Sequence, residues 1–342
     1  MEFLGRRAND LLAWARGQLA EFLHVSPDEL VFFTNPTTAI NMVARSLPLR
    51  PGDEVLATDH EYGAMDRVWW FICHHVGARY IQQHVLLPLD DPYTWVESFW
   101  KGVTSNTRII FISHITSPTA LIFPVAEVCK RARAAGILSI IDGAHAPGQI
   151  PLDLSEIGAD LYAGACHKWL CAPKGAAFLY ARLEVQKWLD PLVVSWGFDS
   201  EKPSGSQFID YHQWQGTRDL AAFLSVPAAI EFQAGHGWEA VRQRCHQLAG
   251  QARSRINTLT GQTSLCPDSS AWFSQMFTVT LPPEIDVESL KRRLYEVHRI
   301  EVPVFKWREQ PVMRVSIQAY NDSTDSDTLL EALARQLGEL MP

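Results

Sequence analysis

Along the first two-thirds of the chain, short apolar runs alternate with longer stretches in which apolar residues recur every three or four places. The short runs predict strands at Glu29–Thr34, Glu54–Thr58, Tyr80–Leu86, Thr107–Ser113, Leu138–Asp142, Asp160–Ala163 and Ala176–Tyr180. The longer stretches predict helices at Thr37–Leu47, Met65–Val76, Pro92–Trp100 and Val125–Ala135. Pro51-Gly52-Asp53 and Ala135-Gly136 punctuate helix ends. Apolar strands separated by helices imply βαβ units and a mostly parallel sheet covered on both faces, an α/β fold. After about Thr217 the rhythm changes. Leu220–Gly235 and Trp238–Thr258 read as long helices. Strands follow near Phe277–Leu281, Ile300–Phe305 and Val312–Gln318, with helices near Val287–Val297 and Asp325–Leu340. The expected organisation is a large domain over residues 1–225 and a small C-terminal α+β domain over residues 226–342.

Composition narrows the classes. The 342 residues carry 30 Lys and Arg against 38 Asp and Glu, a net charge of −8. That balance disfavours a nucleic acid or an anionic membrane held by bulk charge. No apolar run approaches the ~18 residues of a membrane span, and Leu11, Trp14 or Ala15, Leu19 and Phe22 form an amphipathic helix rather than a signal peptide. The six cysteines show no paired metal-ligand spacing, so reduced thiols, no metal and a cytoplasmic setting are expected.

Ligands of parallel sheets sit at the carboxyl ends of the strands. Thr34-Asn35-Pro36-Thr37-Thr38 follows the first predicted strand and opens a helix, which makes an anion seat from hydroxyls and free N–H groups. His114 follows the fourth strand, Asp142-Gly143-Ala144-His145 ends the fifth, and Cys166-His167-Lys168 follows the sixth. No GxGxxG or GxxxxGK[ST] loop is present, which removes dinucleotide and P-loop readings. A lysine near an anion seat, with a carboxylate on a neighbouring strand, suits pyridoxal 5'-phosphate: it needs a Schiff-base Lys, an Asp for the ring nitrogen and a phosphate cradle. The bland alternatives are a solvated Lys168, an Asp142 that only caps its strand end, and Thr37 and Thr38 as plain helix caps. Lys174, in a turn, is the rival lysine. A hydrolase built on Cys166 and His167 is weakened because adjacent strand residues point to opposite faces.

The same residues carry a resemblance. Ile141–Gly148, Gly164–Trp169 and Pro173-Lys174-Gly175 resemble the class V aminotransferase family of fold-type I pyridoxal-phosphate enzymes. His60-Glu61-Tyr62-Gly63, Ser113–Thr119 and Trp214–Asp219 are most similar to its isopenicillin N epimerase-like branch. The resemblance implies Lys168 as the Schiff-base lysine, Asp142 on the pyridine nitrogen, and His145 by the ring oxygen, where relatives often carry Gln. It implies His60 stacked on the ring face, with Tyr62 as the alternative. Thr37, Thr38 and His167 would hold the phosphate, and Thr217 would reach the phosphate of a neighbouring subunit in a homodimer with shared active sites. Arg314 would bind the carboxylate of an amino-acid substrate. Ala165 stands where relatives often have a phosphate-binding Ser. No Cys lies between Ile300 and Arg314, which argues against desulfurase chemistry. The chain also lacks the extra N-terminal segment usual in the branch, so either the site is more open or the start is missing. Epimerisation, transamination and β-elimination at C–S bonds all remain open, as does a non-catalytic protein that keeps the fold.

Overall fold

The computed structural model describes residues 2–340. Among the described residues, ten strands form two sheets. The first sheet contains β1 (Leu30–Phe33), β2 (Glu54–Thr58), β3 (Arg79–Gln83), β4 (Thr107–Ser113), β5 (Leu138–Gly143), β6 (Leu161–Ala165) and β7 (Ala177–Ala181). Their spatial order is β1-β7-β6-β5-β4-β2-β3. β7 alone runs against its neighbours: β2–β3, β2–β4, β4–β5 and β5–β6 pair in parallel, while β6–β7 and β1–β7 are antiparallel. The mostly parallel sheet is therefore as expected, and six of its strands end along one edge with their carboxyl termini.

Helices run between these strands: α1 (Ala8–Leu23), α2 (Pro36–Ser46), α3 (Gly63–Val76), α4 (Pro92–Trp100) and α5 (Val125–Ala134). On one sheet face, Val31, Phe33, Val55, Phe111, Ile140 and Leu179 pack with Ala39, Ile40 and Val43 of α2 and Met65, Trp69 and Ile72 of α3. The alternate positions Phe32, Leu56, Ile110, Ile141 and Phe178 are buried as well. Double burial explains why the strands read as unbroken apolar runs rather than alternating ones.

The chain divides into two compact units. The first comprises the chain to His84, Val96–Ile115 and Pro124–His236; the second comprises Val85–Trp95, Thr116–Phe123 and the chain from Gly237 onward. The second unit holds an antiparallel sheet of β8 (Met276–Thr280), β9 (Val304–Trp307) and β10 (Gln310–Ser316), in the order β8-β10-β9. Hydrogen bonds explain why two early segments join it. Leu89 N–H donates to Leu265 O, Ile122 N–H to Trp272 O, and the Trp272 indole to Asp90 O. Sequence periodicity carries no trace of such long-range pairing. Among the described residues, no helix is long and apolar enough to cross a membrane.

Local structure also departs from the sequence reading at one position that matters. The helix expected from Leu220 is broken into Ala221–Leu224 and Val226–Gly235, with Pro227 in the first turn of the latter. Thr217 lies four residues ahead of the first of these, exposed and in irregular chain, so it does not open a helix.

Close approach at the sheet edge generates a stability test. A Cβ on Gly143 would sit 1.9 Å from the Tyr162 ring. That ring is fully buried and stacked beside Phe178, so it cannot move aside. Gly143→Ala should cost about 1–3 kcal/mol of unfolding free energy through overpacking, read as a lower urea midpoint with little change in slope. An unchanged midpoint would show that the edge is loosely packed.

Candidate active site

The carboxyl edge of the first sheet gathers the chemistry. Asp142, on β5, shares the sheet face of Ile140 and lies across from Ser113 of β4 and Ala163 of β6. It is buried, and its Oδ1 accepts the Ala144 N–H at 2.9 Å. No hydrogen bond reaches Oδ2 among the described residues. Burial pushes the carboxyl above its ordinary value, while the Ala144 N–H and the charge of Lys168 pull it down. A second carboxyl, Glu61, is buried nearby. It accepts from the Thr58 hydroxyl at 2.5 Å, and from the Ser113 N–H at 2.8 Å and hydroxyl at 2.6 Å. Burial pushes Glu61 up to about 8 against those hydrogen bonds, with the charge of Asp142 adding to the rise. Two buried carboxyls in one neighbourhood favour a single negative charge, and Asp142 is the one beside a cation.

Lys168 stands on the return from β6 to β7. That return is tied at its base, where the Cys166 and His167 N–H groups both donate to Ala176 O, and across its middle, where Ala172 N–H donates to Cys166 O. The Lys168 side chain is exposed, and Nζ lies 3.0 Å from His145 Nε2. On the other side of that imidazole, the Trp169 indole N–H donates to Nδ1 at 3.3 Å. The turn carrying His145 is locked by Gln149, whose Nε2 donates to His145 O at 2.8 Å. The rival Lys174 is exposed in a turn that leads into β7. Thus Asp142, His145 and Lys168 come together as the sequence spacing suggests.

Other expected residues take varied places. At the start of α2, Asn35 Oδ1 already accepts both the Thr38 N–H at 2.8 Å and its hydroxyl at 3.0 Å, so capping is the observed geometry. Thr37 is half-buried on the same turn. His167 keeps a buried Nδ1 without a hydrogen-bond partner, and burial lowers its affinity for a proton. The expected stacking face of His60 is closed: the residue is 0% exposed, with Nε2 3.6 Å from Asp59 Oδ1. Tyr62, at the entry to α3, is 48% exposed. Arg314 belongs to the second unit, on β10, where Nη1 donates to the Ser117 carbonyl at 2.5 Å and hydroxyl at 3.1 Å. Its Nε is buried without a hydrogen bond, and burial lowers the guanidinium below its ordinary value.

Three residues at this edge escape sequence reasoning. Glu61 hides inside a segment quoted only for its family pattern. Trp169 looks like core. Tyr162 lies within a strand, yet its hydroxyl meets His114 Nδ1 at 2.9 Å, and burial brings that imidazole down to about 4. A strand tyrosine two residues before Gly164, across from a chain that carries Gly143, is the one signal that could have found the third: glycines on the same face leave room for a ring.

The donor set suits pyridoxal 5'-phosphate. Asp142 Oδ2 is open to a protonated ring nitrogen, Lys168 offers an exposed amine, and the orphaned His167 Nδ1 stands beside that lysine in sequence for an anionic group.

Comparison with known proteins agrees. The chain matches the family model Aminotransferase class-V over residues 1–329. It is 38% identical to an isopenicillin N epimerase of Amycolatopsis lactamdurans over 346 residues, covering 97% of this chain and 87% of that one. It is 37% identical to an isopenicillin N epimerase of Streptomyces clavuligerus, covering 99% and 88%. A solved cysteine desulfurase from Escherichia coli shares the fold with a TM-score of 0.82 at 23% identity, covering 98% of this chain and 86% of that one. With its parallel sheet, its buried aspartate and its lysine-bearing return, the chain belongs to the class V aminotransferase family.

Proposed function

We propose that the chain is a pyridoxal-5'-phosphate-dependent enzyme that inverts Cα of an amino acid or amino-acid-derived substrate, as an isopenicillin N epimerase does. One observation carries the reading: exposed Lys168 Nζ lies 3.0 Å from His145 Nε2, at the strand edge where Asp142 is buried. The similarity to two isopenicillin N epimerases supports inversion over transamination and C–S cleavage.

When bound, the cofactor supplies a cationic ring that accepts the electrons released as a bond to the substrate Cα breaks. Asp142 keeps a proton on the ring nitrogen, because a carboxylate held out of water strongly favours an adjacent cation. Glu61 stays protonated near neutral pH and so leaves that role to Asp142. Lys168 anchors the cofactor and then moves the Cα proton, a task for an exposed amine with an imidazole beside it. Inversion further requires a proton carrier on the opposite face. Tyr62, half-exposed, takes the ring-stacking place that the closed His60 leaves, while His167, Thr37 and Thr38 hold the phosphate. Arg314 binds the substrate carboxylate. Its unpartnered Nε supports this role, since a carboxylate oxygen would satisfy it.

The active unit is a homodimer that completes each cofactor site with Thr217 of the other chain. Leu192, Val193, Val194, Trp196 and Phe198 are all exposed, Trp196 by 85%, which supports a covered surface there. Thr217 and Trp196 line the same cleft, next to Arg16 of α1.

Purified protein should be yellow, and borohydride followed by peptide mapping should place the pyridoxyl group on Lys168. Mapping to Lys174 would sink the assignment. In D2O, an amino-acid panel that includes isopenicillin N should gain deuterium at Cα and lose optical purity while keeping its nitrogen and sulfur. Release of keto acid or sulfide instead would overturn the epimerase reading.

Arg314→Ala should raise KM for amino acids about ten- to hundredfold, the worth of a charge-assisted pair, and leave carboxylate-free amines little changed. Equal losses on both would assign Arg314 a folding role.

Lys168→Ala and Thr217→Asp should each be inactive alone. Mixed subunits should regain activity in hybrid dimers, because one composite site is then intact. No recovery from subunits shown to exchange would refute the shared site.

A further inference from the structure

The hydrogen bonds around His145 determine which of its nitrogens carries a proton. An indole N–H is a donor only, so Nδ1, which receives it from Trp169 at 3.3 Å, must be a lone pair. An imidazole with an unprotonated Nδ1 is neutral and bears its hydrogen on Nε2. Nε2 is the atom that faces Lys168 Nζ at 3.0 Å. In this tautomer the contact runs from the imidazole to Nζ when the lysine is unprotonated, since an ammonium group cannot accept; the charged lysine that pulls Asp142 down is the form this contact disfavours.

We propose that Trp169 is a positioning residue that fixes His145 as its Nε2–H tautomer, so that the ring presents a donor to the nitrogen of Lys168. The surroundings make the tryptophan a rigid partner. Trp169 is buried, and its carbonyl accepts Gln233 Nε2, itself buried, at 2.9 Å. Gly148 packs so tightly on the same peptide that a Cβ there would lie 2.5 Å from Trp169 O, and its φ of +84° is one that glycine adopts without strain. Gln149 fixes the backbone of His145 from the other side. Indole and imidazole are thus held by separate anchors, and neither can swing away when Lys168 changes partners.

The chemical purpose follows from the sign of the bond. A donor aimed at the lysine nitrogen favours its unprotonated form. An amine that must bond to a carbonyl carbon and later take a proton has to be unprotonated for both tasks. A glutamine at this position offers an amide donor with no tautomer to set, whereas a histidine needs a partner that forbids Nδ1–H. Trp169 supplies that prohibition. The purpose rests on the proposed role of Lys168; the tautomer assignment does not.

The test uses purified protein as isolated, labelled with 15N histidine, with the His145 signals identified by their loss in His145→Gln. Wild-type His145 should show an unprotonated Nδ1 and a protonated Nε2. Trp169→Phe, which keeps a buried aromatic ring but no N–H, should lose that single-tautomer signature and give averaged shifts for both nitrogens. A wild-type Nδ1–H, or an unchanged tautomer in Trp169→Phe, would overturn the proposal. The wild-type spectrum decides even if the variant fails to fold. The second readout is the pH midpoint of the cofactor absorbance. Trp169→Phe should raise it by about 0.5–1 unit, the worth of one hydrogen bond, and have no effect on the His145→Gln background. An equal shift on both backgrounds would also refute the coupling. Were the cofactor reading itself wrong, the absorbance would be missing and the 15N result would stand unchanged.

Discussion

Asp142 is kept from water at the carboxyl edge of a parallel sheet, with a second carboxyl close by, and much of the site follows from that charge. Desolvation raises the energy of an ionised carboxylate, so the surroundings must supply hydrogen bonds or a cation. Here the Ala144 N–H and the charge of Lys168 stabilise Asp142, and Glu61 holds its proton instead. The arrangement has a stability cost with a definite sign. Between the ordinary glutamate value and about 8, the folded protein keeps a proton on Glu61 that the unfolded chain has shed. Stability contributed at this position therefore declines as pH rises through that window. Glu61 also ties the turn after β2 to the end of β4, through Thr58 and Ser113. The residue that concedes its charge thus fixes the distance between two strand ends.

How much of this was legible in the chain differs from element to element, for physical reasons. Glu54–Thr58 and Thr107–Ser113 coincide with β2 and β4 because central strands buried on both faces leave an unbroken apolar run with polar ends. The Asp142 and Lys168 region was readable because strand ends are punctuated by glycine and because few cofactors need an acid, a lysine and an anion seat together. The strand expected at Tyr80–Leu86 is shorter at its far end and starts one residue earlier, at Arg79, as suits a sheet edge with exposed positions. The allocation of Val85–Trp95 and Thr116–Phe123 to the second unit depends on pairings with residues more than 140 positions away. The short helix Gln207–Gln213 has too few turns for a periodic signal.

The side-chain detail was harder still. Spacing could place His60 and Tyr62 near one strand end but could not say which of them turns inward. The answer depends on whether the chain enters α3 with a buried or an exposed residue, and Tyr62 at the entry is the open one. Nor could a linear pattern show that the indole of Trp169 reaches back to the turn after β5. That contact exists because β5 and β6 are adjacent parallel strands whose ends lie side by side.

The reversal of β7 has a consequence for how the position of Lys168 can vary. In a parallel sheet the chain must leave one strand end, cross the sheet through a helix and return, so the far end of a strand moves with that helix. Lys168 is spared this, because β6 and β7 are antiparallel neighbours and the chain between them is a closed loop of eleven residues, Cys166 to Ala176. Its two ends are hydrogen-bonded to each other at Ala176, and shifts in the helical layers do not reach it through a crossover. Changes in the helices therefore reach the Lys168 amine through packing contacts such as Gln233 on the Trp169 carbonyl, and not through a crossover. An insertion in that loop is the change this arrangement cannot absorb, since it would carry the Lys168 amine away from His145 without needing to unfold anything.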